Sequence, residues 1–328
     1  MVGRLPRIGA VLSVTGRFAR FGNQAARGLQ VWSAMTDGAE VVISDDGGDP
    51  ARVASALDDL TSRCELLLGP YSTVLTRAAC AFATGSGRVV WNHGGSGDDV
   101  QAAAPGLVVS VLTPTSRYAE PFVAHLADHH AGVPLRLVQG RGSFGRQVIA
   151  GARTAAHRLG VPVMPDDATE QPWALFTAGT FEEDTALVAG VLAGHPRPQV
   201  IGTVAAGVRE FADAVPDPDT ILGVAQWTPG TALEASVGPS ETDFLARYTE
   251  TFGSVPDYPA VQAAATAAIA VHCASEAGST ADDDLWTAAV QLRTSTLFGA
   301  FGIDPQTGAQ REHRMALVRW HAGRLLPV

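Results

Sequence analysis

The chain has 328 residues, 46% of them hydrophobic, and a formal net charge of −10. That length favours two lobes over one core, and the acidic balance argues against nucleic acid as a partner, whose footprint is a basic patch or stripe. All 23 basic residues are Arg, which excludes chemistry that needs Lys, including Schiff bases and the Lys of a phosphate-binding P-loop.

The opening residues lead straight into a strand at 7–13 and lack the apolar core and small-residue cleavage site of a secretory signal. The expectation is therefore either a cytosolic protein or one whose export signal has been removed. A Gly-containing loop, 14–22, precedes a helix from about Asn23 to Met35, and residues 40–44 form the next strand. Asp45, Asp46 and Asp49 make a turn; the calcium-loop pattern needs Gly at its sixth position and Glu at its twelfth, where Pro50 and Ala56 stand. Pro50 opens a helix to about Leu60.

Leu66 to Leu68 read as a buried strand, ended by Gly69-Pro70. Ser72 and Thr73 then stand where a helix begins, and both are good N-cap residues. The unpaired N–H groups of that first turn suit a carboxylate. Cys64 and Cys80 flank this unit and are expected as buried thiols; with Cys273 they are too few for a disulfide framework or a zinc cluster. A strand over 87–91 runs into Asn92-His-Gly-Gly-Ser-Gly97, and another covers 107–112.

Such alternation predicts parallel sheets with helices on both faces, and ligands sit beyond the carboxyl ends of the strands. Phe18, Phe21, Ser72, Thr73 and Gly94 to Ser96 all fall at those ends. After a helix from 114 to about 130, a second alternating series follows. Its strands are 135–139, 174–177, 199–202 and 220–224, with helices at 144–159, 184–192 and 208–214. Helices at 241–251, 258–276 and 282–292 precede a strand-like tail at 297–303, 314–320 and 325–328. The Ala-rich helix is apolar nearly all round and should be buried.

Gly140-x-Gly142-x-x-Gly145 has dinucleotide-fingerprint spacing after a strand, with Asp166 and Asp167 downstream, and makes an NAD(P)-dependent oxidoreductase the alternative reading. Phe144 crowds that loop, and no hydride-transfer pair accompanies it. His125 and His129, four apart on a helix with His130 adjacent, lack further metal ligands. Asp282 to Asp284 read as helix-start charge, and Glu182 to Asp184 as first-turn acid or a partner for a cationic ligand group.

Four stretches resemble the type 1 solute-binding proteins of ABC transporters, in the leucine/isoleucine/valine-binding branch. They are Ile8 to Gly16 with Phe21-Gly22; Asp45 to Pro50 with Leu68-Gly-Pro-Tyr-Ser-Thr73; Trp91 to Ser96; and Ser240 to Tyr258. The resemblance implies two Rossmann-like α/β lobes joined by a three-segment hinge, 1–117 with 232–298 and 118–231 with 299–328. A ligand would be held in the cleft between them. It implies no cofactor and no catalysis, with an ABC transporter permease as partner. The location implied is the periplasmic or extracellular face of the membrane; a cytosolic sensor of the same fold applies if no export signal exists.

Position by position, Thr73 beside Ser72 resembles the hydroxyl that binds the ligand carboxylate. Gly94, Gly95 and Ser96 resemble the loop facing the ligand's polar end, Phe21 the covering aromatic, and Phe144 a lid in the second lobe. Thr180 or Phe181 lies near another usual aromatic. The acid that pairs a ligand ammonium is absent from 203–207. Either Glu182, Glu183 or Asp184 replaces it, or the ligand is an aromatic or aliphatic carboxylate without an ammonium.

Overall fold

Short apolar runs become the strands of two separate sheets. The computed structural model describes residues 4–165, 172–232 and 234–328. The chain divides into two units, Met1–Leu112 with Ala232–His313 and Thr113–Thr231 with Arg314–Val328.

In the first unit the order is β1 (Ile8–Leu12), α1 (Ala19–Met35), β2 (Val41–Asp45), α2 (Pro50–Thr61), β3 (Leu66–Leu68), α3 (Thr73–Ser86), β4 (Val90–Asn92), α4 (Asp98–Gln101) and β5 (Val108–Ser110). The strands β1, β3, β4 and β5 are buried at every position, as strands covered on both faces must be. They lie parallel in the order β2-β1-β3-β4-β5. The order reverses between β1 and β3, and the crevice for a ligand in such a sheet opens at that point. One face is closed by Val53, Leu57 and Leu60 of α2 and Leu75, Ala79 and Ala83 of α3. Asp49 caps α2 by accepting from the Ala51 amide at 2.9 Å, with Pro50 in the first helical position.

The second unit adds α5 (Glu120–His129), β6 (Leu135–Gln139), α6 (Gly142–Leu159), β7 (Ala174–Ala178), α7 (Phe181–Ala193), β8 (Val200–Thr203), α8 (Phe211–Ala214) and β9 (Ile221–Ala225). The helix expected from 114 is a single 3₁₀ turn at Thr115–Arg117 and then an α-helix only from Glu120, since Pro121 has no N–H to donate to the Arg117 carbonyl. Strands β6 to β9 are parallel neighbours in sequence order. Leu135 of β6 also bridges Val163 in parallel on its other side. That single bridge stands where β2 stands in the first sheet, so the second sheet repeats the reversal between β6 and β7. Successive residues of β7 face opposite cores: Ala174, Phe176 and Ala178 one, Leu175 the other.

The chain then returns to the first unit with α9 (Glu241–Phe252), α10 (Tyr258–Ala277), α11 (Asp282–Gln291), β10 (Thr294–Thr296) and β11 (Gly299–Phe301), and ends in the second with β12 (Ala316–His321) and β13 (Arg324–Pro327). Helix α10 is buried along nearly its whole length and crosses α1 so closely that a Cβ on Gly28 would stand 2.0 Å from the Ala260 carbonyl oxygen. The single strand expected over 297–303 is instead the hairpin β10–β11. Residues beyond it stay with the first unit: the Gln310 side chain donates to Val111 O at 2.9 Å, and its amide donates to Gln101 Oε1 at 3.1 Å. The last boundary therefore falls at 313/314, where the sequence reading had 298/299, and the first at 112/113, where it had 117/118. Strand β12 joins β9 antiparallel. All three cysteines are buried and free.

Candidate functional site

The turn after β2 builds the loop after β1. Asp45 Oδ1 accepts from the amides of Val14, Thr15 and Gly47, and its Oδ2 from the Thr15 hydroxyl. Burial pushes this carboxyl up, but the hydroxyl and amide donors outweigh it and hold it below the usual range. Asp46 is fully buried and accepts from Ser13 Oγ at 2.5 Å and the Gly48 amide at 2.7 Å; burial leaves its carboxyl raised. So fixed, the loop turns into α1 at Ala19. The helix thus starts four residues earlier than expected, and Phe21 rides on its first turn rather than in the loop.

The ring of Phe21 stacks on Tyr71, from the loop after β3, with centroids 4.4 Å apart and planes 10° apart. Phe18 tilts against the same Tyr71 at 6.4 Å. The Tyr71 hydroxyl meets that of Tyr258 at the start of α10. The reversal point of the first sheet thus carries an aromatic wall drawn from three distant segments.

Beside the wall begins α3. Ser72 caps it at φ +86°, an uncommon conformation for a residue with a side chain, and its Oγ faces the Leu75 amide at 3.4 Å. No acceptor among the described residues takes the amide hydrogens of Thr73 and Val74. Thr73 Oγ1 accepts from the Gly97 amide at 3.1 Å, which leaves its own proton to donate. Two free amides, a hydroxyl and the positive end of a 14-residue helix form a donor set for an anion.

The loop after β4 is tied to itself. Asn92 Oδ1 accepts from the amides of Gly94 and Gly95, its Nδ2 donates to Gly95 O, and Gly94 O accepts from the Ser72 amide. A Cβ on Gly94 would lie 2.4 Å from Tyr71 Cα, and one on Gly95 2.3 Å from Thr76 Oγ1. Packing demands both glycines, whatever lies against the loop. Four of the expected positions, Ser72, Thr73, Gly94 and Gly95, with Ser96 next to them, are therefore brought to one place beside Phe21.

In the second unit the loops after β6 and β7 touch: a Cβ on Gly140 would lie 2.4 Å from Gly179 Cα. Thr180 and Glu183 form a capping box on α7. Glu183 Oε2 also accepts from the Arg141 amide at 3.1 Å, and its Oε1 pairs with Arg141 Nε at 3.2 Å. This places a carboxylate against the Gly140–Gly145 loop, which opposes a pyrophosphate there. Gly145 is needed because a Cβ there would lie 2.5 Å from Ala178 O. Asp166 and Asp167 lie outside the described residues. Asp184 is buried and accepts from the hydroxyls of Thr177 and Thr203, both at 2.9 Å, tying β7 to β8; burial raises its carboxyl. Of the three acids, Glu182 alone is exposed with its carboxylate unengaged by a described residue. Phe144 packs edge-on against Tyr118 and the α5–α6 core, whereas Phe181 packs on the opposite core.

Sequence reasoning missed Tyr258, Tyr71 as the centre of the wall, and Arg17 and Arg20, whose guanidiniums lie over Phe18 and Phe21. The apolar/polar pattern carried no signal for a contact between residues 71 and 258. His125 and His129 stack at 4.6 Å, and no group of His, Cys, Asp and Glu among the described residues is placed to hold a metal ion. No helix of the described residues is long and apolar enough to cross a membrane.

Residues 6–178 match the model of a family described as periplasmic binding protein. Among solved structures, a leucine-binding protein from Thermotoga maritima shares 13% identity at a TM-score of 0.78, covering 98% of this chain and 97% of that one. A branched-chain amino-acid transporter substrate-binding protein from Streptococcus pneumoniae, in complex with isoleucine, shares 16% at 0.74, covering 97% of each chain. An ABC-transporter solute-binding protein from Rhodopseudomonas palustris, in complex with p-hydroxybenzoic acid, shares 16% at 0.79, covering 98% of this chain and 95% of that one. A search of curated proteins found no match. At these identities the likeness shows the fold.

Proposed function

Because the chain belongs to the periplasmic binding protein family, we propose that it is a non-catalytic, extracytoplasmic receptor that captures a small carboxylate and delivers it to an ABC transporter permease. The observation that carries the carboxylate is the donor set at the head of α3: the open amides of Thr73 and Val74 and the Thr73 hydroxyl, beside the Phe21–Tyr71 wall. Structural neighbours are in complex with isoleucine, 3,4-dihydroxybenzoic acid and benzoate, and each of these bears a carboxylate. Ser72, Thr73, Ser96 and Phe21 are the proposed contacts in the first unit, with Gly94 and Gly95 shaping the loop. Phe144, Thr180, Phe181 and Glu182 are those proposed in the second.

The test is a calorimetric panel of amino acids, aromatic and aliphatic acids, and NAD(P). A carboxylate should bind, NAD(P) should not, and no solute should be turned over. Thr73→Val removes one hydrogen bond to a charged group and should weaken binding by about 1.5–3 kcal/mol with the fold intact. Phe21→Ala should also weaken it. Unchanged affinity in both variants places the ligand elsewhere.

A further inference from the structure

Resting on the receptor reading, we propose that Gln101 and Gln310 are positioning residues: they couple Thr73, at the carboxylate site, to residues 111–113, where the chain first passes from one unit to the other. Strand β5 is an edge of the first sheet, and its ladder ends at Ser110 opposite Asn92. Val111, Leu112 and Thr113 beyond it are nevertheless buried, and buried carbonyls need donors. Three glutamine side chains supply one each. Gln310 Nε2 donates to Val111 O and Gln101 Nε2 to Leu112 O, both at 2.9 Å. Gln226 Nε2 donates to Thr113 O at 3.4 Å, and its Oε1 accepts from the Thr113 amide at 3.3 Å. The first two glutamines belong to the first unit and Gln226 to the second, so the support changes at the peptide joining Leu112 to Thr113, which is the boundary itself.

From Gln101, at the end of α4, bonds within the first unit lead back to Thr73. Thr73 Oγ1 accepts from the Gly97 amide, and a Cβ on Gly97 would lie 2.5 Å from Thr73 Cγ2, so the two residues pack directly. Gly97 O accepts from the amides of Val100 and Gln101, both at 3.1 Å, and Gln101 Nε2 also lies 3.5 Å from Ser96 O. Gln101 Oε1 accepts from the Gln310 amide at 3.1 Å. Gln310 Oε1 in turn accepts from the amides of Gly302 and Glu312, just before the last passage between units at 313/314. Both side chains are buried, and a primary amide donates and accepts as a peptide group does. In a close-packed set of such bonds, a shift of Thr73 toward a bound carboxylate moves 111–113 rather than being absorbed beside the ligand. Adjacency alone does not establish coupling; non-additivity between the two ends does.

The experiment is amide hydrogen exchange, resolved to single residues, on the whole chain, read at Gln310. Thr73→Val removes the acceptor of the Gly97 amide and should speed exchange at Gln310 about three- to tenfold. Asp49→Ala, which removes the cap of α2 in the same unit, should leave Gln310 unchanged. In a Gln101→Met background, where the Gln310 amide has already lost its acceptor, Thr73→Val should add nothing. Isoleucine or benzoate, where calorimetry shows it bound, should slow exchange at Gln310 in wild type and not in Gln101→Met. Exchange at Gln310 that ignores Thr73→Val, that responds equally to Asp49→Ala, or that still responds to Thr73→Val in Gln101→Met overturns the proposal. The comparison of Thr73→Val with Asp49→Ala leaves both glutamines in place, so it decides the matter even where Gln101→Met does not fold. The calorimetric panel judges the receptor reading separately: a carboxylate that binds without a response at Gln310 ends the coupling alone, and a response to Thr73→Val with no carboxylate bound ends the receptor reading alone.

Discussion

His93 shows how a single residue can report on the site without touching a ligand. It follows β4, is fully buried, and neither ring nitrogen finds a partner at good hydrogen-bond geometry. Burial pushes the imidazole down to about 4, and the nearby Gly69 carbonyl offsets only part of that. The folded-state value lies below the unfolded one, so between about pH 6.5 and 4 the unfolded chain holds the extra proton. Stability must therefore fall as pH falls through that window and be fully present above it. A shift of this size corresponds to about 3 kcal/mol. Urea denaturation at pH 7 and pH 4 should show wild type losing stability of that order beyond what His93→Phe loses. Equal losses would mean that His93 is solvated in the native state. The sequence placed His93 in the right loop but carried no sign of its burial.

At the level of elements, the strand–helix alternation was legible because several short apolar runs are followed by Gly or Pro, as at Gly69-Pro70, Gly140 and Gly179, residues that favour turns over continued regular structure. Helix starts were read late at α1, which begins behind Phe18 without a side-chain cap, and at α6, which begins on Gly142 at φ +83°; α7 was also read three residues late, at Asp184 instead of Phe181, although Thr180 caps it. The hairpin β10–β11 was read as one strand because Leu297 and Phe298, buried in its turn, continue the apolar run. Where capping chemistry is conventional it is testable in isolation. Thr180 and Glu183 close both halves of the box on α7, so Thr180→Ala should cost about 1 kcal/mol. Glu183→Gln, which keeps a side-chain acceptor but loses the Arg141 pair, should cost less, since that pair is largely exposed. Urea midpoints at constant m-value would rank the two; the reverse order would show that the ion pair, not the cap, holds the loop.

For the molecule as a whole, what the sequence left least legible is that each unit is assembled from separated segments. The first unit needs α10: Gly28 of α1 is glycine because the Ala260 backbone lies against it, and the Tyr248 hydroxyl of α9 donates to Gln24 Oε1 at 2.7 Å. Residues 4–112 alone would expose the face of α1 that buries Leu29 and Trp32, and a fully buried large apolar side chain contributes about 1.5–3 kcal/mol. A loss of that size is a large fraction of the roughly 5–15 kcal/mol by which a domain is stable. We therefore expect residues 4–112 expressed alone to show no cooperative unfolding transition. The same segment joined to 232–313 through a flexible linker of about 10 residues should show one, because every strand and helix of the first unit is then present. It should also keep the stacked Phe21–Tyr71 wall, read as a near-ultraviolet circular dichroism signal that Tyr71→Ala reduces. A cooperative transition in the 4–112 fragment would mean that α10 covers this unit without completing its core.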